Sequence, residues 1–220
     1  AYPKLNVKIA ATHSGISVGE DGGSHQAIED VAIMRAVPNM VVLVPADGEE
    51  TRQVILAAAQ YVGPVYIRMG RLAVPVLFGE EYHFEIGKAN VLKEGTDVAI
   101  MANGLMVSMA LEAAADLATE GISVSVVNVA SVKPLDVETI VRVAKQTKAV
   151  VTAEEHNIIG GLGSAIAEVL GEEMPTPMVR VGLKDTFGES GRPQELLEKY
   201  GLTKTGLVNA VHKVLAKKLG

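Results

Sequence analysis

The side chains best suited to chemistry in this sequence lie between Ala10 and Gln26. They are His13, Glu20, Asp21 and His25, spaced among Gly15, Gly19, Gly22 and Gly23. An imidazole can serve as acid, base, hydrogen-bond donor or metal ligand near neutral pH. Glycines let the backbone take conformations closed to other residues and come close to a ligand. The set therefore suits acid–base work or the holding of a polar ligand. Its spacing matches no metal-ligand pattern. The plain alternative is a strand-to-helix loop whose polar residues only turn and cap, with Asp21-Gly22-Gly23 as the turn and Ser24 as an N-cap.

Two further stretches carry candidate chemistry. Arg68 and Arg71 close the apolar run that starts at Val65. They could grip a phosphate through charge-assisted, bidentate bonds, or simply be solvated surface charges. The second stretch is Glu154-Glu155-His156-Asn157, followed by Gly160-Gly161-Leu162-Gly163-Ser164. It looks like a dinucleotide loop after a strand, but the Gly-x-Gly-x-x-Gly pattern from Gly161 ends at Ile166. We read it as close helix–sheet packing or a subunit contact. His83 and His212 have no clustered partners and read as surface residues.

The elements that must position these groups alternate between strand and helix. Val7–Ala11 reads as a strand, His25–Val37 as a helix, and Val41–Val44 as a strand. Asp47 with Glu50 three residues on resembles a capping box opening a helix through Val62, and Val65–Arg68 is the next strand. The pattern breaks over Met69–Gly95, read as a linker with an extended pair at Val74–Leu77 and Ala89–Leu92. A domain boundary is expected near Gly79–Tyr82. A second series follows: strands at Asp97–Ala102, Ile122–Asn128, Ala149–Ala153 and Met178–Val181. Helices interleave at Leu105–Thr119, Asp136–Thr147 and Gly161–Leu170, and close the chain at Pro193–Lys199 and Lys204–Lys218. The fold class is α/β, two mostly parallel-sheet domains with flanking helices, residues 1–80 and 81–220.

Bulk composition narrows the function. The chain has 220 residues, 48% of them apolar but only 4% aromatic, so its core rests on aliphatic side chains. A formal net charge of -6 argues against nucleic-acid binding. The absence of cysteine excludes disulfides, zinc–cysteine sites and a thiol nucleophile, and fits a cytoplasmic protein. No apolar run approaches the roughly 20 residues that span a bilayer. The start Ala1-Tyr2-Pro3 is not a natural initiation sequence, so a piece of something longer is expected.

The run Ala11-Thr-His-Ser-Gly-Ile-Ser-Val-Gly-Glu-Asp-Gly-Gly-Ser-His-Gln26 strongly resembles transketolase. So do Pro38-Asn39-Met40, Pro45-Ala46-Asp47-Gly48 and Arg68 after an apolar strand. The resemblance covers essentially the whole chain. It implies the end of the pyrimidine-binding domain, a partial thiamine diphosphate-binding fold, and then a transketolase C-terminal domain. It implies a component of an enzyme of carbohydrate metabolism, of the pentose phosphate type, that moves a two-carbon ketol unit between sugar phosphates. Thiamine diphosphate and a divalent metal (magnesium) would serve the complete enzyme. By resemblance, His25 would be catalytic, hydrogen-bonding the C1 hydroxyl of the donor and the carbanion intermediate. Asp21 would hold the C2 hydroxyl, and His13 and Arg68 the substrate phosphate.

Two departures stand out: Ser14 where the family has Asp, and Gly22-Gly23-Ser24-His25 where full-length enzymes have Gly-Pro-Thr-His. Both resemble the short, split transketolases, in which two polypeptides share one enzyme. Deoxyxylulose-phosphate synthase is the alternative enzyme, although it has an Asp-Arg pair near Thr12-His13. A non-catalytic dimerisation or regulatory module is the alternative of another class. The family's aminopyrimidine-contacting glutamate and its diphosphate- and metal-binding domain have no counterpart in Ala1–Gly220. The expectation is that this chain alone binds neither cofactor nor metal and is inactive. Its expected partners are an N-terminal diphosphate-binding subunit, copies of itself (a dimer) and sugar phosphates, with no nucleic acid and no membrane.

Overall fold

β-Branched and aliphatic runs bounded by Gly, Pro and Asn form the strands, and the apolar-periodic stretches between them form the helices. In the computed structural model, which describes residues 1–218, the first part of the chain reads β1 (Lys8–Ala11), a 3-10 turn (Ile16–Asp21), α1 (Asp30–Ala36), β2 (Val41–Leu43), α2 (Gly48–Gln60) and β3 (Val65–Arg68). The rest reads β4 (Asn90–Lys93), β5 (Val98–Ala102), α3 (Met106–Thr119), β6 (Val124–Asn128), β7 (Ser131–Lys133), α4 (Val137–Thr147), β8 (Val150–Asn157), α5 (Leu162–Glu173), β9 (Met178–Leu183), α6 (Pro193–Lys199) and α7 (Lys204–Lys218). The fold is α/β with two mostly parallel sheets. The first has the order β1-β3-β2-β7, parallel except for β7. The second has the order β4-β6-β5-β8-β9, parallel except for β4.

Four expectations change. The helix expected over His25–Val37 starts only at Asp30. The backbone before it is used elsewhere: Ala27 pairs with Ser14, and Gly15 N–H donates to Ala27 O at 2.8 Å. Val74–Leu77 is not a strand, because the Leu77 and Phe78 amides donate to the Asp47 carboxylate instead of to a ladder. β7 is an unexpected strand, and it pairs with β2 of the first sheet. Its Lys133 ammonium donates to Arg35 O and Val37 O, closing the C-terminal end of α1. The sheets therefore interlock, with a strand from beyond residue 81 completing the first. Helix α5 also runs through Gly171 instead of stopping there.

The cores interlock as well. Ile16 and Ile28, from the loop after β1, are buried in the same cluster as Ile100, Met106, Leu117 and Val211 of the second unit. Burying an aliphatic side chain contributes roughly 1.5–3 kcal/mol, so these two residues tie the loop to the second sheet. On the far side β1 is an edge strand, and Ile9 on it and Leu5 and Val7 just before it are exposed.

Candidate functional site

In open α/β sheets, ligands sit beyond the C-terminal ends of parallel strands. Here such ends converge from both sheets. Residues after β1, β2, β3 and β5, with Arg68 of β3 and Glu155 of β8 themselves, enclose a cavity of about 420 Å³ whose polar lining includes Thr12, Ser17, Asp47 and Asn103. Among the described residues, no group of three or more His, Asp or Glu side chains is placed to hold a metal ion.

The loop from Thr12 to Gln26 runs along this cavity and turns two faces. Its backbone from Ser14 to Gly19 is buried, while His13, Glu20, Asp21, Ser24 and His25 are exposed. Sequence pattern explains the turns. Gly15, Gly19 and Gly22 have φ of 86°, 81° and 81°, which disfavour any side chain. His13 has φ 63°, an uncommon conformation for a residue with a side chain, of the kind that gathers at functional positions. It is held there by Ser14 N–H on Met69 O and Gly15 N–H on Ala27 O. The His13 Nδ1 lies 3.0 Å from Thr12 Oγ1, and the His25 Nδ1 lies 3.1 Å from Ser24 Oγ. Asp21 takes a long contact from Arg71, whose Nη1 also donates to Val18 O.

Beneath the loop lies a network of buried charge. Arg68 is only 5% exposed. Its Nε donates to Asp30 at 3.0 Å, and its Nη2 donates to Glu155 O at 2.8 Å and to Ala27 O at 3.1 Å. Tyr66 O–H donates to the same Asp30 at 2.6 Å, and burial together with that carboxylate pushes the phenol well above its usual range. Glu155, whose pKa burial raises, accepts Ser17 N–H at 2.7 Å. Glu154 accepts the Leu162 and Gly163 amides at 2.6 and 2.8 Å, and burial pushes its carboxyl up to about 7. The N-terminal anion site of α5 is thus filled by the chain's own carboxylate. His156 is lowered by burial and then by the Arg68 charge, and its Nδ1 lies 2.7 Å from Asn157 O. The Ala32 N–H donates to the His156 Nε2 at 3.4 Å, an arrangement that suits a proton on Nδ1.

These residues sit in a chain whose halves match two sequence families. Residues 1–76 match the transketolase pyrimidine-binding domain, and residues 87–207 the transketolase C-terminal domain. The chain belongs to the transketolase family. A Methanocaldococcus jannaschii protein named as a transketolase C-terminal section is 48% identical over 220 residues, covering 99% of this chain and 69% of that one. A 6-deoxy-6-sulfo-D-fructose transketolase subunit from a Clostridium species is 47% identical, covering 99% and 68%. A solved structure described as a split gene transketolase, inactive beta4 tetramer, superposes with a TM-score of 0.94 at 59% identity, covering 99% and 70%. At lower identity, a 1-deoxy-D-xylulose-5-phosphate synthase from Desulfitobacterium hafniense matches at 37%, the alignment covering 34% of that protein.

Transketolase-family enzymes use thiamine diphosphate. The charged groups at the cavity do not fit the metal-bound diphosphate of that cofactor. A metal-bound diphosphate needs uncommitted oxygen ligands and cationic donors, and the charged groups at the cavity are already engaged. Asp47 accepts the amides of Glu50, Leu77 and Phe78, and Arg68 is paired inward.

Of the four residues singled out for a transketolase site, the structure leaves His13, Asp21 and His25 exposed on one loop. It turns Arg68 into the buried network, where it lines the cavity wall. Arg71 is the more accessible of the two arginines, its side chain 39% exposed. Sequence reasoning missed Asp30, hidden inside an expected helix, and the inward role of Glu155. The signal for Asp30 was an acidic residue inside an apolar-periodic stretch, at the position where the helix in fact begins.

Proposed function

We propose that this chain is the substrate-contacting component of a split transketolase, transferring a two-carbon ketol unit between sugar phosphates. One observation carries the reading. His13, Asp21 and His25 stand exposed on a loop whose Ser14–Gly19 stretch is buried and whose glycines take positive φ, and Thr12 and Ser17 of the same loop line the cavity. In this reading His25 and Asp21 hydrogen-bond the first two hydroxyls of the donor sugar. His13 meets the phosphate, with Arg68 behind it in the cavity wall. Thiamine diphosphate and magnesium belong to an N-terminal diphosphate-binding subunit, so the chain alone is inactive. It assembles with that partner and with copies of itself, in a cytoplasmic setting. The inactive beta4 tetramer named for the structural neighbour supports both the inactivity and the self-association.

The test is reconstitution. The chain mixed with its diphosphate-binding partner, thiamine diphosphate and magnesium should transfer ketol units from a ketose phosphate to ribose 5-phosphate, and either subunit alone should not. Turnover by this chain alone contradicts the reading. A preference for pyruvate and glyceraldehyde 3-phosphate would instead assign it to the deoxyxylulose-phosphate synthase reaction.

A further inference from the structure

The glycines of the loop look, from sequence, like room for a ligand. The structure gives them a different neighbour. A Cβ on Gly15 would lie 2.3 Å from the Glu155 carboxylate, and on Gly19 2.9 Å from Pro193. On Gly23 it would lie 2.7 Å from Gly188 O, and on Gly22 3.5 Å from Ser190. Each of these neighbours belongs to the second unit, to β8, to the start of α6 or to the segment between β9 and α6. The glycines admit protein, not substrate.

The contact is specific as well as close. Gln26, only 4% exposed and next in the chain to His25, donates from Nε2 to Glu189 O at 2.9 Å. The same nitrogen also reaches Ile16 O and Gly19 O within the loop, at 3.3 and 3.4 Å. A Cβ on Gly188 would sit 1.8 Å from Gln26 Oε1, so that glycine keeps the segment seated on the amide. Ser190 Oγ donates to Glu20 O at 2.7 Å, one residue before Asp21. Glu155 holds Ser17 N–H, four residues after His13. The second unit therefore contacts the loop on both sides of its exposed residues, at Ser17 and Glu20 and at Gln26.

We infer that Gln26, seated on residues 188–190, and Glu155 are positioning residues: through them the C-terminal domain sets the aim of His13 and His25 for the reaction. This inference rests on the reading of the loop given above, and it assigns the C-terminal domain a part in that site. A contact misplaced by about 1 Å can cost about 100-fold in rate. The effect should appear in kcat, because a mis-aimed group fails where charge develops.

The experiment uses Gln26→Glu, which keeps shape but removes the donor, and Ser190→Ala, which removes one surface hydrogen bond and keeps the test available should the first variant not fold. The first readout is the imidazole carbon–proton NMR spectrum of the full chain, which has five histidines. The expected result is that His13 or His25 signals shift or broaden, while those of His83 and His212 do not move. The second readout is ketol transfer by the assembled enzyme. Gln26→Glu should lower kcat about 10- to 100-fold with KM changed little, and should add little to the loss in a His25→Ala background, since groups acting as a unit are not additive. Unchanged histidine signals in a variant that only melts earlier would overturn the inference. So would parent-like kcat, or losses that simply multiply with His25→Ala. If the parent enzyme shows no ketol transfer, the functional reading fails, and the histidine signals alone decide the positioning question.

Discussion

Two glycine-rich junctions in this chain follow a parallel strand and open onto a helix. At the first, between β1 and α1, His13, Asp21 and His25 are exposed while Ser14–Gly19 are packed away. At the second, where the end of β8 leads into α5, Glu154 and His156 are 1% exposed each, and both have partners within the chain. Glu154 fills the amide donors of α5, and Arg35 from α1 donates to Gly160 O and Gly161 O. Both sequences advertise glycine, charge and histidine. What separates a display site from a structural joint is where the polar atoms end, and that depends on what packs against the loop from a distant part of the chain.

If the comparison holds, the inward network should dominate stability. Arg68→Ala leaves Asp30 facing Tyr66 with no cation, and breaking a buried pair costs about 3–5 kcal/mol. Urea unfolding of the chain should show a loss of that size. A midpoint equal to the parent's would mean that Arg68 is not a structural cation. Gly161→Ala belongs to the same class, because its Cβ would fall 2.0 Å from the Glu154 carboxylate. Overpacking of this kind costs about 1–3 kcal/mol. Gly48→Ala is its control, since nothing lies within 4 Å and the site is in a helix, where alanine is favoured by up to about 1 kcal/mol.

The next effect is a dependence on pH. The folded chain keeps the Glu154 proton until about pH 7, whereas the unfolded chain releases it near 4.5. The stability this group contributes is full below the unfolded value and is lost as pH rises through the folded one. His156, lowered on folding, acts in the opposite sense as pH falls below 6.5. The readout is therefore the difference between parent and Glu154→Gln. Relative to the variant, the parent should lose stability from about pH 4.5 to about pH 7, by at most about 1.4 kcal/mol per pH unit. Parallel curves would remove the raised carboxyl from the account. The smallest stability effect belongs to the display face: His13→Ala and His25→Ala should each stay within about 0.5 kcal/mol of the parent.

Local pattern made much of this legible. The strands, the Asp47 and Asp136 caps and the alternation that specifies α/β all follow from short-range chemistry, and the side chains of Asp47 and Asp136 do accept from Glu50 N–H and Thr139 N–H. The histidine–aspartate loop was visible because its residue types are clustered in sequence. What stayed hidden is long-range. Glu50 reads as a capping-box residue, yet its carboxylate accepts from Ala46 N–H, Tyr82 and Asn128, the last from β6. β7 has only three residues and pairs with a strand some 90 positions earlier. Arg68 reads as a strand-end cation, and only the fold shows Asp30 and Glu155 closing over it.

The central claim is that the outer face of the loop acts on substrate while its inner face only holds it in place. The most direct test is His25→Ala in the chain assembled with its diphosphate-binding partner, measured for turnover of hydroxypyruvate and for urea midpoint on the same sample. The account predicts a midpoint matching the parent's and a kcat lower by about 100-fold or more, the loss typical of removing a group that meets developing charge. Parent-like turnover, or a loss that only follows unfolding, would contradict it.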